Sequence, residues 1–296
     1  MKSALLIINP SSGREEALGY AHQAERVLRD AGYETEIKQT GGAGDATRYC
    51  LSACEAGADL VVSIGGDGTL HETINGLRGR SRLPRLGIVP LGTVNDFARA
   101  LHLPLDPSEA IRTLASPHTR PVDVGVMNGQ LFINVVAAGT LAESLSAVTP
   151  GDKSRMGAFA YVKEGVKELA SPTSHPLIIR TGGREWTADS PLFLAALTNS
   201  VGGFERLAPD AEVDDGLLHC FLVRDLSLLR TLTAGLSLLF GNLKNHPDVT
   251  YFTAKEVSVT SSAPVRTNVD GEDGPPLPIS LSLLPRRISV VVPASD

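Results

Sequence analysis

Residues 63–77 read SIGGDGTLHETINGL, with glycines at 65, 66 and 68 around a lone aspartate, Asp67. The run before it, DLVVSIG (59–65), is a continuous apolar strand of the kind buried on both faces of a parallel sheet. The run after it reads as a helix (69–77), with Thr69 as N-cap and Glu72 three residues on completing a capping box. Such a junction falls at the C-terminal edge of a parallel sheet, where α/β proteins bind ligands. Glycines let the backbone approach a phosphate, and the helix amino end offers N–H groups and a positive dipole end. A capped tight turn explains Thr69 and Glu72. It does not explain a carboxylate wedged among glycines, which would repel a phosphate unless a cation stood between them. Asp67 therefore points to Mg2+. The spacing is neither a P-loop, which needs Gly-Lys-Ser/Thr, nor the GxGxxG of a dinucleotide site.

Outward from this loop, strands and helices alternate over the first 120 or so residues. ALLIINP (4–10) reads as a strand, 15–31 as a helix, YETEIKQT (33–40) as a strand and 44–56 as a helix. After the glycine loop come a strand at LGIVP (86–90) and a helix at 94–101. Three more junctions then share the same sheet edge. They are Asn9-Pro10-Ser11-Ser12-Gly13-Arg14, Thr40 with GGAGD, and Pro90 to Asp96 with Thr93 inside it. Gly, Ser, Thr and Asn are common in any loop. Four such loops on one edge are better explained by a nucleotide cleft. The arginines of LRGRSRLPR (Arg78, Arg80, Arg82, Arg85) follow the helix and so belong at the opposite end, as solvated surface. Arg14 is the better-placed cation. His71 either faces a phosphate or has a supporting role.

Beyond Asp123 the texture changes to short alternating segments separated by turn residues, which reads as a mostly antiparallel β domain. Breakers in SPHTRP set the boundary, giving domains 1–123 and 124–296. Helical inserts are expected at 154–170 and 226–241. The stretch PVRTNVDGEDGPPLP (264–278) reads as a loop that displays its acidic residues. PDAEVDDGLL (209–218) and NVDGEDG (268–274) are each either plain acidic turns or functional sites.

The chain has 296 residues, 42% hydrophobic, with a formal net charge of -6, which argues against a broad nucleic-acid footprint and against broad attraction to anionic lipid, leaving a local basic patch as the route to a lipid surface. Three cysteines give no disulfide framework and suggest a reducing compartment. Cys50 and Cys54, four apart without a nearby partner, read as core packing. No secretory signal is evident, since the apolar run at 4–8 is too short. The apolar stretch 226–243 is broken by Arg230 and makes a poor spanning helix; it reads as a helix packed on a sheet, with a membrane-contacting surface as the alternative. No GxSxG and no Ser-His-Asp logic occurs.

Taken together, NPSSGR, GGDGTLHETINGL, PLGTVNDFARAL, APDAEVDDGLL and NVDGEDG resemble, in order and spacing, the bacterial diacylglycerol kinase-like lipid kinases, relatives of sphingosine and ceramide kinases. GGDGT alone is shared with NAD kinases and phosphofructokinases; GTxNDFARAL and the late DGE separate the lipid branch. The resemblance implies an NAD kinase/phosphofructokinase-like α/β domain with a mainly parallel sheet, a C-terminal antiparallel β-sandwich, and an ATP cleft between them. ATP would use Asn9, Pro10, Ser11, Ser12, Gly13, Arg14, Thr40, Gly65, Gly66, Asp67, Gly68, Thr69, Leu70, His71, Glu72 and Thr93. Glu272 of the DGE stretch would be the base. Asp67 would hold catalytic Mg2+ through water. Asp215, with the carbonyls of Glu212 and Leu217, would hold a structural Mg2+. Asn95, Asp96 and Asp123 would support the site. His71 stands where many members have Asn, and His219 where an acidic residue is frequent.

The implied activity is transfer of the γ-phosphoryl group of ATP to a membrane lipid alcohol, most simply diacylglycerol. Other lipid alcohols, an NAD kinase-like activity and a non-catalytic nucleotide- or lipid-binding regulator are the alternatives. The enzyme would be cytoplasmic and dock transiently on the inner face of the membrane. Its oligomeric state, homodimer included, stays open.

Overall fold

The structure, a computed structural model, describes residues 2–13, 16–139, 173–200, 208, 210–224 and 243–294. Arg14 and both expected helical inserts lie outside the described residues. The chain divides into two compact units, Met1–Val124 with Pro285–Asp296, and Gly125–Leu284.

In the first unit the strands are β1 (Lys2–Ile8), β2 (Tyr33–Gln39), β3 (Leu60–Gly65) and β4 (Arg85–Pro90), in the parallel order β2-β1-β3-β4. The helices are α1 (Ala17–Asp30), α2 (Asp45–Glu55), α3 (Asp67–Asn75), α4 (Asp96–Ala100) and α5 (Pro107–Thr113). All six residues of β3 are buried because helices cover both faces of the sheet. On one face Leu6, Ile8, Leu60, Val62 and Ile64 pack against Ala17, Ala21, Ala24 and Leu28 of α1 and against Ile111 and Leu114 of α5. The alanines let α1 lie close to the sheet. Helix α5 was not expected from the sequence; Asp106 caps it by accepting from the Glu109 amide (2.9 Å), and Pro107 opens it.

The strand ends are level. Ile8 is in register with Gln39 and with Ile64, and Gly65 with Pro90. The loops after all four strands therefore leave from one edge. The arginine run sits at the other: Arg85, at the start of β4, meets the Tyr33 hydroxyl at the start of β2, while Arg82 pairs with Asp59 and Arg80 with Glu55.

The second unit is antiparallel. One sheet runs β12 (Val249–Ala254), β11 (Leu218–Val223), β10 (Leu192–Ala196), β7 (Val135–Ala138), β14 (Thr267–Val269) and β15 (Glu272–Gly274). Facing residues come from β13 (Glu256–Ser261), β8 (His175–Thr181), β9 (Arg184–Ser190), β6 (Gln130–Phe132) and the first part of β16 (Ile279–Val291). Phe193, Ala195, Leu218, Cys220 and Leu222 of the first set share one buried core with Leu177, Ile179, Val257, Val259 and Leu281 of the second. That is the sandwich arrangement.

Two strands carry the chain across the unit boundary, β5 (Thr119–Met127) and β16. The last strand differs from expectation. ISLSLL and RRISVVVP form one 13-residue strand, and its far end returns to the first unit, where Val290 pairs in parallel with Leu86. A boundary at 123/124 assigned this segment to the second domain. Its alternating pattern suits either sheet, and only pairing decides.

Candidate active site

Asp67 opens α3, whose N-cap is Gly66. The helix thus starts two residues earlier than expected, and Thr69 lies inside its first turn. The expected capping box does not form. Glu72 instead reaches across to α2, its carboxylate accepting from the amides of Gly44 (2.9 Å) and Ala46 (3.2 Å). Gly44 is in the left-handed region (φ 83) as the N-cap of α2 and offers no side chain of its own. Glu72 supplies the missing acceptor from 28 residues away. Glu72→Ala is expected to lower unfolding free energy by about 1 kcal/mol, and Glu72→Gln, which keeps one acceptor, by less. Urea unfolding of the two variants checks this; an unmoved midpoint for Glu72→Ala would contradict it.

With Gly66 as its cap, α3 carries no side-chain acceptor at its amino end. A helix amino end with free N–H groups is suited to an anion. The Asp67 carboxylate turns to the neighbouring loop, accepting from the amides of Asn95 (2.9 Å) and Asp96 (3.0 Å). Asn95 sits at φ 55 and clasps Gly92 at both ends, accepting from its N–H (3.0 Å) and donating to its carbonyl (2.8 Å). The two loops touch through glycine: a Cβ on Gly92 would stand 2.8 Å from the Gly66 Cα. The GGDGT and GTVND segments are thus one clamped unit, and Asp67 is the clamp.

The other loops follow the same edge. The Asn9 amide donates to the Ile64 carbonyl (3.1 Å), its side chain accepts from the Ser11 amide (3.0 Å), and Gly13 turns the chain at φ 63. The Thr40 amide donates to the Ile8 carbonyl (2.8 Å). Thr93 is exposed. His71 is buried, its ring against the Asn75 amide group one turn further along α3 (3.3 Å). Asp123 is buried and accepts from the Arg286 amide (2.7 Å).

In the second unit, Glu272 is exposed at the start of β15. The expected loop around it is a tight hairpin. Val269 pairs with Glu272, and Asp270 and Gly271 form the turn with φ 51 and 91, both positive as the favoured two-residue hairpin requires. Asp270 is not displayed. It is only 8% exposed, and its carboxylate accepts from three consecutive amides, Ile133 (2.9 Å), Asn134 (2.8 Å) and Val135 (3.0 Å). Asn268 accepts from the Gly271 amide (2.9 Å). Sequence reading passed over this anchor because its partners lie about 135 positions back. An aspartate opening a tight turn two residues before the candidate base was the available signal.

Asp215 accepts at Oδ2 from the Glu212 amide (3.1 Å) and from His219 Nε2 (2.8 Å), and at Oδ1 from the Leu217 amide (2.9 Å). Burial raises its pKa, but the His219 bond, the two amides and the His219 charge outweigh this and hold it below the ordinary carboxylate value. Three protein donors thus take most of the lone-pair directions expected to face a structural cation, a poor fit for a resident Mg2+.

Among the described residues, no group of three or more His, Cys, Asp or Glu side chains is placed to cage a metal. Mg2+ that arrives with a nucleotide needs no cage, being held by one or two carboxylates together with phosphate oxygens. Half-buried Asp67, at the amino end of α3, fits that mode. Among the described residues no helix is long and apolar enough to cross a membrane.

A family model for the diacylglycerol kinase catalytic domain matches residues 3–127, and one for the YegS C-terminal NAD kinase beta sandwich-like domain matches 134–292. A diacylglycerol kinase of Bacillus subtilis (strain 168) is 39% identical over 294 residues, covering 99% of this chain and 97% of the relative. One from Staphylococcus aureus (strain MRSA252) is 39% identical over 298 residues, covering 99% and 93%. A solved diacylglycerol kinase from Bacillus anthracis str. Sterne matches with a TM-score of 0.78 at 26% identity, covering 99% of this chain and 97% of that one. A further solved chain from that organism reaches a TM-score of 0.86 at 26% identity, covering 99% and 96%. The chain belongs to the diacylglycerol kinase family, lipid kinases that phosphorylate an alcohol group.

Proposed function

We propose that this protein transfers the γ-phosphoryl group of ATP to the hydroxyl of diacylglycerol at a membrane surface, forming phosphatidic acid. The observation that carries the reading is the clamped pair of loops, GGDGT and GTVND, at the level C-terminal edge of the parallel sheet. The amino end of α3, the Asn9–Gly13 turn and Thr40 hold the phosphates and ribose. Asp67 would hold the Mg2+ that comes with ATP, which would supply positive charge against the phosphates. Glu272 accepts the proton of the lipid hydroxyl as its oxygen bonds to the γ-phosphorus. The bond from that phosphorus to the β–γ bridging oxygen breaks, and ADP leaves. Members of the diacylglycerol kinase family that match over nearly the whole chain support the choice of acceptor.

The β-sandwich match to an NAD kinase-like domain favours one competing acceptor, NAD. Labelled ATP offered in parallel to NAD and to total lipid extract, with products identified by mass spectrometry, tests the choice. Labelled phosphatidic acid is expected. Labelled NADP with no labelled lipid would overturn the reading.

The glycine contact makes a second test. Gly92→Ala is expected to cost about 1–3 kcal/mol through overpacking against backbone and to weaken ATP binding by separating the loops. Calorimetric titration with ATP and urea unfolding check it; wild-type values in both would contradict the clamped arrangement.

A further inference from the structure

The PDAEVDDGLL turn has a feature that its expected metal-binding role does not use. His219, the first residue beyond it on the sequence's own pattern of two leucines, is 3% exposed and lies between two partners. Its Nε2 is 2.8 Å from Asp215 Oδ2, and its Nδ1 is 2.7 Å from the Tyr251 hydroxyl. His219 sits on β11 and Tyr251 on β12, paired neighbours in the sheet. Asp215 accepts, so Nε2 carries the proton on that side. Tyr251 keeps its hydroxyl proton, because burial and then the charges of Asp210 and Asp215 raise its pKa. Its hydroxyl and Nδ1 share one hydrogen bond. The chain Tyr251–His219–Asp215 thus gives both ring nitrogens of a buried imidazole a protein partner.

The turn closes on the same carboxylate. Amides of Glu212 and Leu217 point into it, and the Glu212 carbonyl accepts from the Asp215 amide (3.3 Å). A carboxylate has about four lone-pair directions, and three here are taken by protein donors. A cation that took the place of the imidazole on Oδ2 would leave the buried His219 Nε2 without its acceptor, a cost that Mg2+, which dehydrates reluctantly, is poorly suited to repay.

We propose that His219 does in this protein the work of a structural cation: it ties the 210–217 turn to the β11–β12 sheet through Asp215 and Tyr251, and the turn is metal-independent. The proposal stands on this turn alone, so it can fail while the kinase reading holds, and the reverse.

The test is thermal unfolding of the full chain without nucleotide, in excess Mg2+ and in excess EDTA, for wild type, Asp215→Asn, His219→Ala and His219→Glu. The wild-type midpoint is expected to be the same in both buffers. His219→Ala is expected to lower it by a few degrees in both, the shift that loss of one such tie gives in a domain of this size. His219→Glu puts a second carboxylate beside Asp215 and is expected to unfold earlier in EDTA and recover in Mg2+. A wild-type midpoint that rises with Mg2+ while that of Asp215→Asn does not would overturn the proposal. A rise shared by both places the cation elsewhere and leaves the turn metal-independent as proposed. The wild-type and Asp215→Asn pair decides the matter even if the His219 variants fail to fold.

Discussion

Glu272→Gln is expected to cut turnover by about a hundredfold to ten-thousandfold, the range a positioned general base contributes. A lipid hydroxyl is a weak nucleophile at neutral pH, and glutamine keeps the shape of the side chain but takes no proton. Glu272 is exposed at the start of β15. The loops proposed to hold ATP all belong to the first unit, and Glu272 belongs to the second. The loss should therefore appear in kcat, with ATP affinity near that of wild type by calorimetric titration. Turnover at the wild-type rate would show that the base lies elsewhere.

Asp270→Ala is the substitution expected to do most damage to the fold. It removes the acceptor of three buried amides at once. Each orphaned donor costs about 1–3 kcal/mol, so a loss of about 3 kcal/mol or more is expected by urea unfolding. Asp270→Asn should cost less. Asparagine tolerates the left-handed backbone at φ 51, and its one remaining oxygen can serve the two amides that Oδ1 serves now. Both variants loosen the hairpin that presents Glu272, so kcat should fall with the KM for ATP little changed. The order Ala worse than Asn, in stability and in kcat, marks Asp270 as a positioning residue. An Asp270→Ala protein with the wild-type urea midpoint would contradict the anchor.

What could be read in advance was local. The buried run of β3, its glycine loop and the helix after it declare themselves within fifteen residues, and the alternation of strands and helices around them sets the parallel sheet. The glycine at 66 and the aspartate at 67 therefore stand out in the sequence as a candidate site at a strand-to-helix junction. The misreadings share a cause: they depend on hydrogen bonds between residues far apart in the chain. Glu72 fits a capping box by spacing, yet its carboxylate goes to α2. Asp270 looks like any turn residue, yet it holds the start of β7. Edge strand β9, REWTADS, is mostly exposed and polar, so no apolar alternation announced it. The return of β16 to the first sheet rests on pairing alone. His219 was visible as a departure from the family pattern, but its role depends on Tyr251, 32 residues on, which no spacing predicts.

The central claim is phosphorylation of a lipid hydroxyl through Glu272. The most direct measurement offers diacylglycerol in mixed micelles with γ-labelled ATP and Mg2+ to wild type and Glu272→Gln side by side, with products identified by mass spectrometry. Labelled phosphatidic acid from wild type, nearly absent from the variant, is the predicted result. No labelled lipid from wild type, or equal labelling from both proteins, would contradict it.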